Sequence, residues 1–483
     1  VLVKGTTQGT STDIDGSYSI DVADDDVLQF TYLGYGSAEW RVGTQTRIDV
    51  VLKEDSARLD EVVVIGYGSQ RRADVTAAVS QIDGKELQKM PMANISQGLA
   101  GRLPGLISVQ NSGQPGADQA SMTIRGAKSG ILYIVDGVQR SINDIDPNDV
   151  ESVSVLKDAA SAAIYGARAG FGVILITTKN NADGKMRINY SGRFSVSDPT
   201  TCTDFITTGY DAAVLADEFN KSYNGSPYTR YDGDDFRQLY QRRNDRTENP
   251  DRPWVVQKNG KYMYYANFNW YDYLFDYTQP TWDHDLSISG GNEKFNYLVS
   301  GNHYTKEGLY AQNTDKYTTN NLNMKFGAQV KPWLSINGAA RLFHSNYRSP
   351  GYDFEDGGNI PNYTFHAMPF VTPYNPDGSS VYTTEVTGSA PADGMAAAVT
   401  QGKAFSQLKQ TQYTTTIGGV ITPLKGWSIV GTFSYKRYHR EKTFRSANIT
   451  YSDAYGEMKT ATTGFFSDKL RENSAVEEHY TYD

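Results

Sequence analysis

The sequence has almost no cysteine and no long hydrophobic run. Cys202 is the single cysteine among 483 residues, so these residues cannot form a disulfide framework with one another. No segment approaches the roughly 18 consecutive apolar residues of a membrane-spanning helix. The net charge is -9, and no basic stripe with interleaved aromatic residues appears. These absences exclude a helical membrane protein and argue against a nucleic-acid-binding protein.

Catalytic and metal-binding motifs are also missing. The six histidines are scattered, and there is no HExxH motif, no pair of cysteines and no nucleophile elbow. The neighbouring acids Asp234 and Asp235 lie in a polar segment that is typical of a solvated loop. We therefore expect no enzyme activity, no cofactor and no metal site.

What the sequence has in abundance is tyrosine, glycine and strict alternation, with 34 Tyr and 45 Gly. From Lys185 to Ser197 every second residue is apolar or glycine, and every residue between is polar. The same period of two returns in 322–330, 334–338 and 427–435. This pattern predicts strands with one apolar and one polar face, as in a transmembrane β-barrel. A soluble β-sandwich also alternates, so the pattern alone does not decide.

The connections between the predicted strands discriminate between these two folds. Short turns are predicted at Gly290–Asn292, Lys331–Pro332 and Pro423–Gly426, and the remaining connections are longer. Short and long connections alternate, as in outer-membrane barrels with short periplasmic turns and long extracellular loops. The eight predicted strands lie near 185–197, 281–289, 293–304, 316–330, 333–347, 408–422, 426–440 and 474–482.

Aromatic residues at the predicted strand ends fit membrane-interface girdles. Trp333 and Trp427 lie at short turns, and Tyr304, Tyr317 and Tyr347 lie at the opposite ends. Eight strands enclose a space that their own side chains fill, and an open sheet edge is unfavourable in lipid. We therefore expect further strands beyond Asp483.

The composition changes along the chain and predicts a mainly β protein with four regions. Residues 1–53 carry short strands of a β-sandwich that we expect to be incomplete at its N-terminus. Residues 54–69 form an acidic linker, and residues 70–180 form a compact α+β unit. Residues 181–483 form the barrel strands and their long loops.

Several blocks of the first 180 residues carry a family resemblance. The segment LDEVVVIGYG, residues 59–68, lies at the end of the linker, and the other blocks follow in order through the α+β unit. They resemble the plug of SusC-like TonB-dependent outer-membrane transporters, the RagA/SusC family, and residues 1–53 resemble the carboxypeptidase-regulatory-like domain that precedes such plugs. The blocks are Glu61–Gly68, Ile124–Gly126, Leu132–Gly137, Val150–Asp158, Ala163–Gly166 and Gly172–Lys179.

The resemblance implies a location, partners and a transport mechanism. It implies a 22-stranded barrel in the bacterial outer membrane, in contact with its lipid, with the N-terminal domain in the periplasm. It further implies a SusD-like surface lipoprotein as a lid, a dimer of such SusC–SusD pairs as one assembly, and energy from TonB with ExbB and ExbD. The cargo would be a glycan or a peptide, and the base rate of the family favours an oligosaccharide.

The segment Asp60, Glu61, Val62, Val63, Val64 and Ile65 is the predicted TonB box. β-Branched residues favour an extended chain, which a partner protein can add to a sheet as an extra strand, and the two acids keep it soluble when it is undocked. The alternative from composition alone is a buried plug strand. It stays open whether, in the absence of bound TonB, these apolar residues are free in the periplasm or packed against the plug.

Four charged residues of the plug are candidates for contacts with the barrel wall. Arg125, Glu151, Lys157 and Asp158 are the predicted plug–barrel contacts, because buried charges must be paired. The alternative is that each is an ordinary solvated surface charge.

The substrate-binding residues are not predicted by the sequence. The aromatic residues of segment 262–273 could stack on sugars or bind peptides. They could equally form the interface with a lid or part of a membrane-interface girdle. Two other functional classes also stay open at this point. One is a passive porin or surface adhesin, and the other is a soluble periplasmic glycan-binding module or enzyme.

Overall fold

The structure is a computed structural model of the 483-residue chain. Cys202 and the predicted box residues Asp60 and Glu61 lie outside the residues it describes. The described residues are 1–483 without 5, 7, 14–15, 32–37, 53–61, 66–67, 72–78, 90–91, 93, 127–129, 159–161, 181–184, 201–202, 351–366, 383, 388–394, 463–465 and 483.

The N-terminal unit is a small antiparallel sheet of three strands, β1 (Leu2–Val3), β2 (Val27–Phe30) and β3 (Ala38–Arg41). Its core is formed by Val3, Leu28, Phe30 and Val42. The segments 16–22 and 47–52 are among the short strands predicted for this region, but neither forms a ladder with other described residues. Alternate side chains of both segments still pack on the core, so the period-two pattern reports burial there rather than strand pairing.

A two-stranded hairpin follows, in which β4 (Val62–Ile65) pairs with β5 (Gly68–Arg71). The α+β unit after it has a five-stranded sheet in the order β10-β9-β12-β11-β6, and β9 and β12 run parallel. A separate hairpin joins β7 and β8. The strands are β6 (Val79–Asp83), β7 (Leu106–Gln110), β8 (Ala120–Ile124), β9 (Leu132–Val135), β10 (Val138–Gln139), β11 (Val150–Leu156) and β12 (Val173–Thr178).

Short helices close this unit. α1 (Gly84–Leu87) begins at Asp83, whose carboxylate accepts a hydrogen bond from the backbone N–H of Lys85 at 2.8 Å. α2 (Ile95–Gly98) and two 3-10 helices, Pro147–Asp149 and Ala163–Ala169, complete it. The hydrophobic runs of β11 and β12 are buried because helices and neighbouring loops cover the sheet.

The third unit is one antiparallel sheet of eight long strands in the order β13-β16-β17-β18-β19-β20-β21-β24. These strands correspond to the eight predicted from the alternating pattern, so the mainly β fold class with a plug-like unit is confirmed. Their bounds are β13 (Arg187–Ser197), β16 (Gln279–Asn292), β17 (Phe295–Glu307), β18 (Lys316–Lys331), β19 (Leu334–Pro350), β20 (Phe405–Leu424), β21 (Trp427–Ser446) and β24 (Lys469–Tyr482).

The apolar face of this sheet points outward. On β13, Ile188 and Tyr190 are 63% and 67% exposed, whereas the inward face of the sheet lies against the α+β unit. Trp333 and Trp427 are likewise exposed at the short turns. A sheet that exposes its apolar face and encloses its polar face is suited to a surrounding of lipid.

The girdle prediction is wrong for the three tyrosines. Tyr304, Tyr317 and Tyr347 occupy inward positions of their strands, and the first two are almost completely buried. Tyr347 donates a hydrogen bond to Asp315 at 3.0 Å and accepts one from Gln114 of the plug-like unit at 2.8 Å. Strand parity decides which way a side chain points, and these three have the parity of the polar face.

The first short turn also differs from the prediction. Gly290 and Gly291 lie inside β16, and the turn is formed by Glu293 and Lys294. The side chain of Asn292 accepts the backbone N–H groups of Lys294 and Phe295, which stabilises this turn. A Cβ atom on Gly290 would lie 2.6 Å from the hydroxyl oxygen of Tyr297, so the glycine allows close ring packing within the sheet.

The long connections carry their own secondary structure and hydrophobic cores. One core joins the first long loop to the segment after residue 366, and a second contains residues from all four of the longer connections between the eight strands. None of the helices in the described residues is long and apolar enough to cross a membrane. The elements are α3 (Gly209–Asn224), α4 (Gly233–Arg242), β14 (Val255–Lys258), β15 (Lys261–Tyr264), α5 (Trp270–Leu274), α6 (Met395–Gln401), β22 (Ile449–Ser452) and β23 (Met458–Ala461).

A charge on the outward face of the sheet should be unfavourable. Ile417 of β20 is 53% exposed, and we expect Ile417→Arg to destabilise the protein in lipid vesicles by about 2–4 kcal/mol. The control is Tyr223→Arg on α3, which is 90% exposed and should cost less than about 0.5 kcal/mol. Denaturant titrations of both variants measure this, and equal losses would contradict a lipid-facing surface.

Candidate functional site

The plug-like unit contacts the inner face of the eight-stranded sheet, here called the wall, through Asp136. Asp136 and Gly137 form the two-residue turn between β9 and β10, and both have positive φ, at 47° and 85°. An Asp-Gly pair is typical of such a hairpin turn. The turn directs the Asp136 carboxylate to Lys325, at 3.1 Å, and to the guanidinium of Arg341.

The electrostatics of Asp136 follow from these partners. Removal from water alone would raise the pKa of its carboxyl, but Lys325, Arg341 and hydrogen bonds from Thr178 hold it well below the usual range. A carboxyl with a lowered pKa stabilises the folded state above the unfolded pKa of about 4. This stabilisation is lost as the pH falls through the lowered pKa.

Arg193 of β13 makes the second contact between wall and plug-like unit. Its guanidinium pairs with Asp283 of the neighbouring strand at 2.7 Å. It also donates hydrogen bonds to the backbone carbonyl of Gln88, at 2.5 Å, and to the side-chain oxygen of Asn148. One planar guanidinium thus joins two wall strands to two segments of the plug-like unit.

Further contacts repeat this arrangement with different residues. Lys306 of β17 pairs with the buried Asp118 at 3.2 Å. Ser300 donates a 2.5 Å hydrogen bond to Asp149, and Gln412 donates one to Asp144. In all of these contacts the wall supplies the donor, whether cationic or neutral, and a carboxylate of the plug-like unit accepts.

The plug-like unit approaches the wall closely at a glycine. Gly116 has a φ of 77°, and a Cβ atom there would lie 2.6 Å from the ring of Tyr317. A larger residue would be strained in conformation and would also meet the ring. The loop that contains Gly116 therefore packs flat against β18.

A cavity of about 780 Å³ lies beside this loop. Segment 110–115 of the plug-like unit forms one side, and the wall residues belong to strand ends next to the long loops. Its lining is dominated by neutral amides and hydroxyls, with three aromatic rings. Among the lining residues are Gln97, Gln110, Asn111, Ser112, Gln114, Ser195, Gln279, Thr281, Phe275, Tyr304 and Tyr310.

The loop aromatics considered as ligand contacts are mostly structural. Tyr264, Tyr265 and Trp270 are almost completely buried in the two loop cores. Tyr264 donates a hydrogen bond to Asn375 of another long loop at 2.8 Å. These rings hold the long loops together, and none of the three lines the cavity of about 780 Å³. Within the described residues, no group of three or more His, Cys, Asp or Glu side chains is placed to hold a metal ion.

Comparison with known proteins extends this picture. Residues 71–173 match the TonB-dependent Receptor Plug Domain, and residues 1–64 match the CarboxypepD_reg-like domain. A TonB-dependent receptor of Formosa agariphila is 30% identical over 96% of this chain and 44% of its own length. The TonB-dependent receptor SusC of Bacteroides thetaiotaomicron is 31% identical over 67% of this chain and 30% of its own length.

The chain belongs to the SusC-like TonB-dependent receptors. It spans less than half the length of these curated relatives. The RagAB peptide importer in its open-open state has the same fold, with a TM-score of 0.62 and 23% identity over 87% of this chain and 46% of that chain. The receptor is an outer-membrane protein whose α+β unit is the plug. Its relatives are named as receptors and importers, which agrees with the expectation of a non-enzyme.

In the receptor, the described part of the predicted TonB box is a hairpin strand. Val62–Ile65 pairs with Gly68–Arg71 in a two-stranded sheet, so one edge of this strand is occupied, and no strand in the described part of the chain pairs with its other edge. The open question of its undocked state thus has a partial answer, since its backbone pairs locally. The role of the segment as a TonB box stays a prediction.

The four charges predicted to contact the barrel have mixed surroundings. Arg125 and Glu151 are exposed, and Lys157 donates to Ser80 at 2.5 Å and to the carbonyl of Pro104 at 2.9 Å, both within the plug. Asp158 lies at the end of β11, where its backbone carbonyl accepts a bond from Ala162. Their role as plug–barrel contacts stays a prediction.

The plug–wall contacts in the described residues involve other side chains, which sequence reasoning missed. Arg193, Lys325 and Arg341 interrupt the small polar residues on the inward face of their strands. The sequence does contain a signal for these contacts. It is the presence of cations at inward-facing strand positions in a protein whose plug is rich in aspartate. The aspartates contacted by the wall are Asp118, Asp136, Asp144 and Asp149.

Arg193→Lys should weaken the attachment of the plug, because one ammonium group cannot reach Asp283, Asn148 and the Gln88 carbonyl together. We expect a loss of about 1.5–3 kcal/mol, the range for hydrogen bonds to charged groups. Arg187→Lys, at the exposed end of the same strand, is the control. Denaturant titration measures both, and a neutral Arg193→Lys would contradict the assigned contacts.

Proposed function

We propose that this receptor imports a neutral oligosaccharide across the outer membrane by TonB-dependent active transport, beneath a SusD-like lipoprotein lid. The observation that carries the proposal is the cavity of about 780 Å³ between the plug and the strand ends next to the long loops. A substrate bound there would rest directly on the plug, so movement of the plug would open its route to the periplasm.

The lining chemistry supports a sugar as the cargo. Neutral amides and hydroxyls suit the many hydroxyl groups of a glycan, and aromatic rings suit its apolar faces. The lining carries three charged residues, Asp198, Lys306 and Asp315. Lys306 and Asp315 already have protein partners, Asp118 and Tyr347. Charged groups free to pair with the ends or side chains of peptides are therefore few among the described lining residues.

Energy transfer would begin at the predicted TonB box, Asp60–Ile65. TonB, powered by ExbB and ExbD, would pair with the other edge of the hairpin strand Val62–Ile65 or would replace its partner strand. Backbone hydrogen bonds between TonB and this segment would hold the two proteins together. Force on this segment would be opposed by the hydrogen bonds and ion pairs between plug and wall, so these are the contacts that must break before the plug moves.

The lid would contact the loop layer at exposed aromatics. Phe219 and Tyr223 lie four residues apart on one face of α3 and are 72% and 90% exposed. Large exposed aromatics are enriched in protein interfaces. We assign this face to the SusD-like lipoprotein, and a dimer of such pairs is the assembly that the family suggests.

Deletion of residues 60–65 should abolish uptake and leave substrate binding unchanged, because the box transmits force and takes no part in the cavity. Oligosaccharide uptake by cells and equilibrium binding to the purified receptor measure the two effects. The parent receptor, which keeps the box, is measured in parallel as the control. Full uptake without residues 60–65, or uptake after collapse of the proton-motive force, would favour a passive porin.

Asn111→Ala should weaken oligosaccharide binding about tenfold, since it removes one amide from the plug side of the cavity. Gln119→Ala, an exposed plug amide outside this lining, is the matched control. Calorimetry with neutral oligosaccharides and with short peptides measures the effect. Peptide binding that depends on Asn111, without any oligosaccharide binding, would overturn the sugar assignment and support peptide import.

A further inference from the structure

A second cavity lies between plug and wall, separate from the one assigned to the substrate. Its volume is about 150 Å³, and it lies in the half of the lumen nearer the short turns of β18 to β21. Its lining includes the cations Arg140, Lys325 and Arg341, the carboxylate of Asp136, and the hydroxyls of Thr414 and Thr416.

Arg140 has unused hydrogen-bonding capacity. Its side chain is only 3% exposed, and its Nη2 atom lies 3.7 Å from Asp144. Its Nε and Nη1 atoms are buried and have no partner among the described residues. Asp144 also accepts a hydrogen bond from Gln412, so its carboxylate is shared. A buried guanidinium with two free N–H sites is costly unless an acceptor approaches.

Thr414 also has an unused hydrogen-bonding group. Its hydroxyl oxygen is buried without a partner in the described part of the chain, and Thr414 lines the same cavity as Arg140. Thr414 belongs to the wall and Arg140 to the plug. Unused donors from both sides of the interface therefore meet at one cavity.

The charges of the lining are unbalanced. Three cations line the cavity with one carboxylate, and Asp136 already pairs with Lys325 and Arg341. Burial also lowers the pKa of Arg140 to about 10, in the direction expected for a cation whose charge is poorly compensated.

We propose that this cavity binds a small oxyanion, a phosphate or sulfate group, which bridges Arg140 of the plug and Thr414 of the wall. Tetrahedral oxyanions offer several acceptor oxygens, and guanidinium groups bind them through paired N–H donors. The volume is several times the roughly 30 Å³ that a water molecule occupies, so the group fits.

The oxyanion could come from a free ion or from a larger molecule. A neighbouring cavity of about 720 Å³ shares Val138, Arg140 and Thr414 with the first. A phosphate or sulfate ester could thus place its charged group between plug and wall and its organic part in the larger space. Both sources use the same recognition chemistry.

The test is equilibrium binding of radiolabelled inorganic phosphate to the receptor purified in detergent, with chloride at equal ionic strength. We expect saturable binding that Arg140→Gln reduces at least tenfold and that Thr414→Val reduces more weakly. Arg102→Gln on the plug and Thr415→Val, on the exposed face of β20, are the matched controls and should bind as the parent does. Circular dichroism and retained oligosaccharide binding verify that each variant is folded.

Competition identifies the source of the group. Displacement of phosphate by glucose 6-phosphate would support the site and assign it to an ester group of a larger molecule, and failure to displace it would support the site and assign it to the free ion. Absence of saturable phosphate binding would overturn the proposal. So would binding that survives unchanged in folded Arg140→Gln or is lost equally in Arg102→Gln.

Discussion

The structure depends on the pairing of plug carboxylates with donors on the inner face of the wall. A polar surface is what an outer-membrane barrel presents to its lumen, and a plug can occupy that lumen only if its buried polar groups are satisfied. Asp118 and Asp136 pair with Lys306, Lys325 and Arg341, while Arg193 reaches Asn148 and a plug carbonyl. Such contacts satisfy the buried polar groups of the plug and hold it against the wall.

This arrangement also explains why the two faces of each wall strand differ in polarity. Outward positions carry apolar side chains for lipid, whereas inward positions are mostly polar and supply a cation or a neutral donor to the plug acids that they contact. The Asp136–Gly137 turn is the clearest case, because a backbone conformation set by two residues places one carboxylate between two wall cations. The long loops share two hydrophobic cores, which connect them to one another.

Much of the fold could be predicted from the sequence because its signals are local. Period-two alternation in four segments, together with the turns and connections between strands, located the eight wall strands, and hydrophobic runs located β11 and β12 of the plug. The errors concern information that alternation does not contain. Tyr304, Tyr317 and Tyr347 were assigned to a lipid girdle from their place at strand ends, but parity turns them inward. Likewise, which charges meet depends on how plug and wall dock. The partners of Arg193 and the partners of Asp136 therefore could not be predicted from sequence spacing.

The central claim is that these charge pairs couple plug to wall, and a double-mutant cycle on Asp136 and Arg341 tests it most directly. Stability would be measured for the parent, Asp136→Asn, Arg341→Gln and the double variant. We predict a coupling energy of at least about 1 kcal/mol, so that the double variant loses clearly less than the sum of the single losses. Additive losses would contradict the claim, because they would mean that the two side chains act independently.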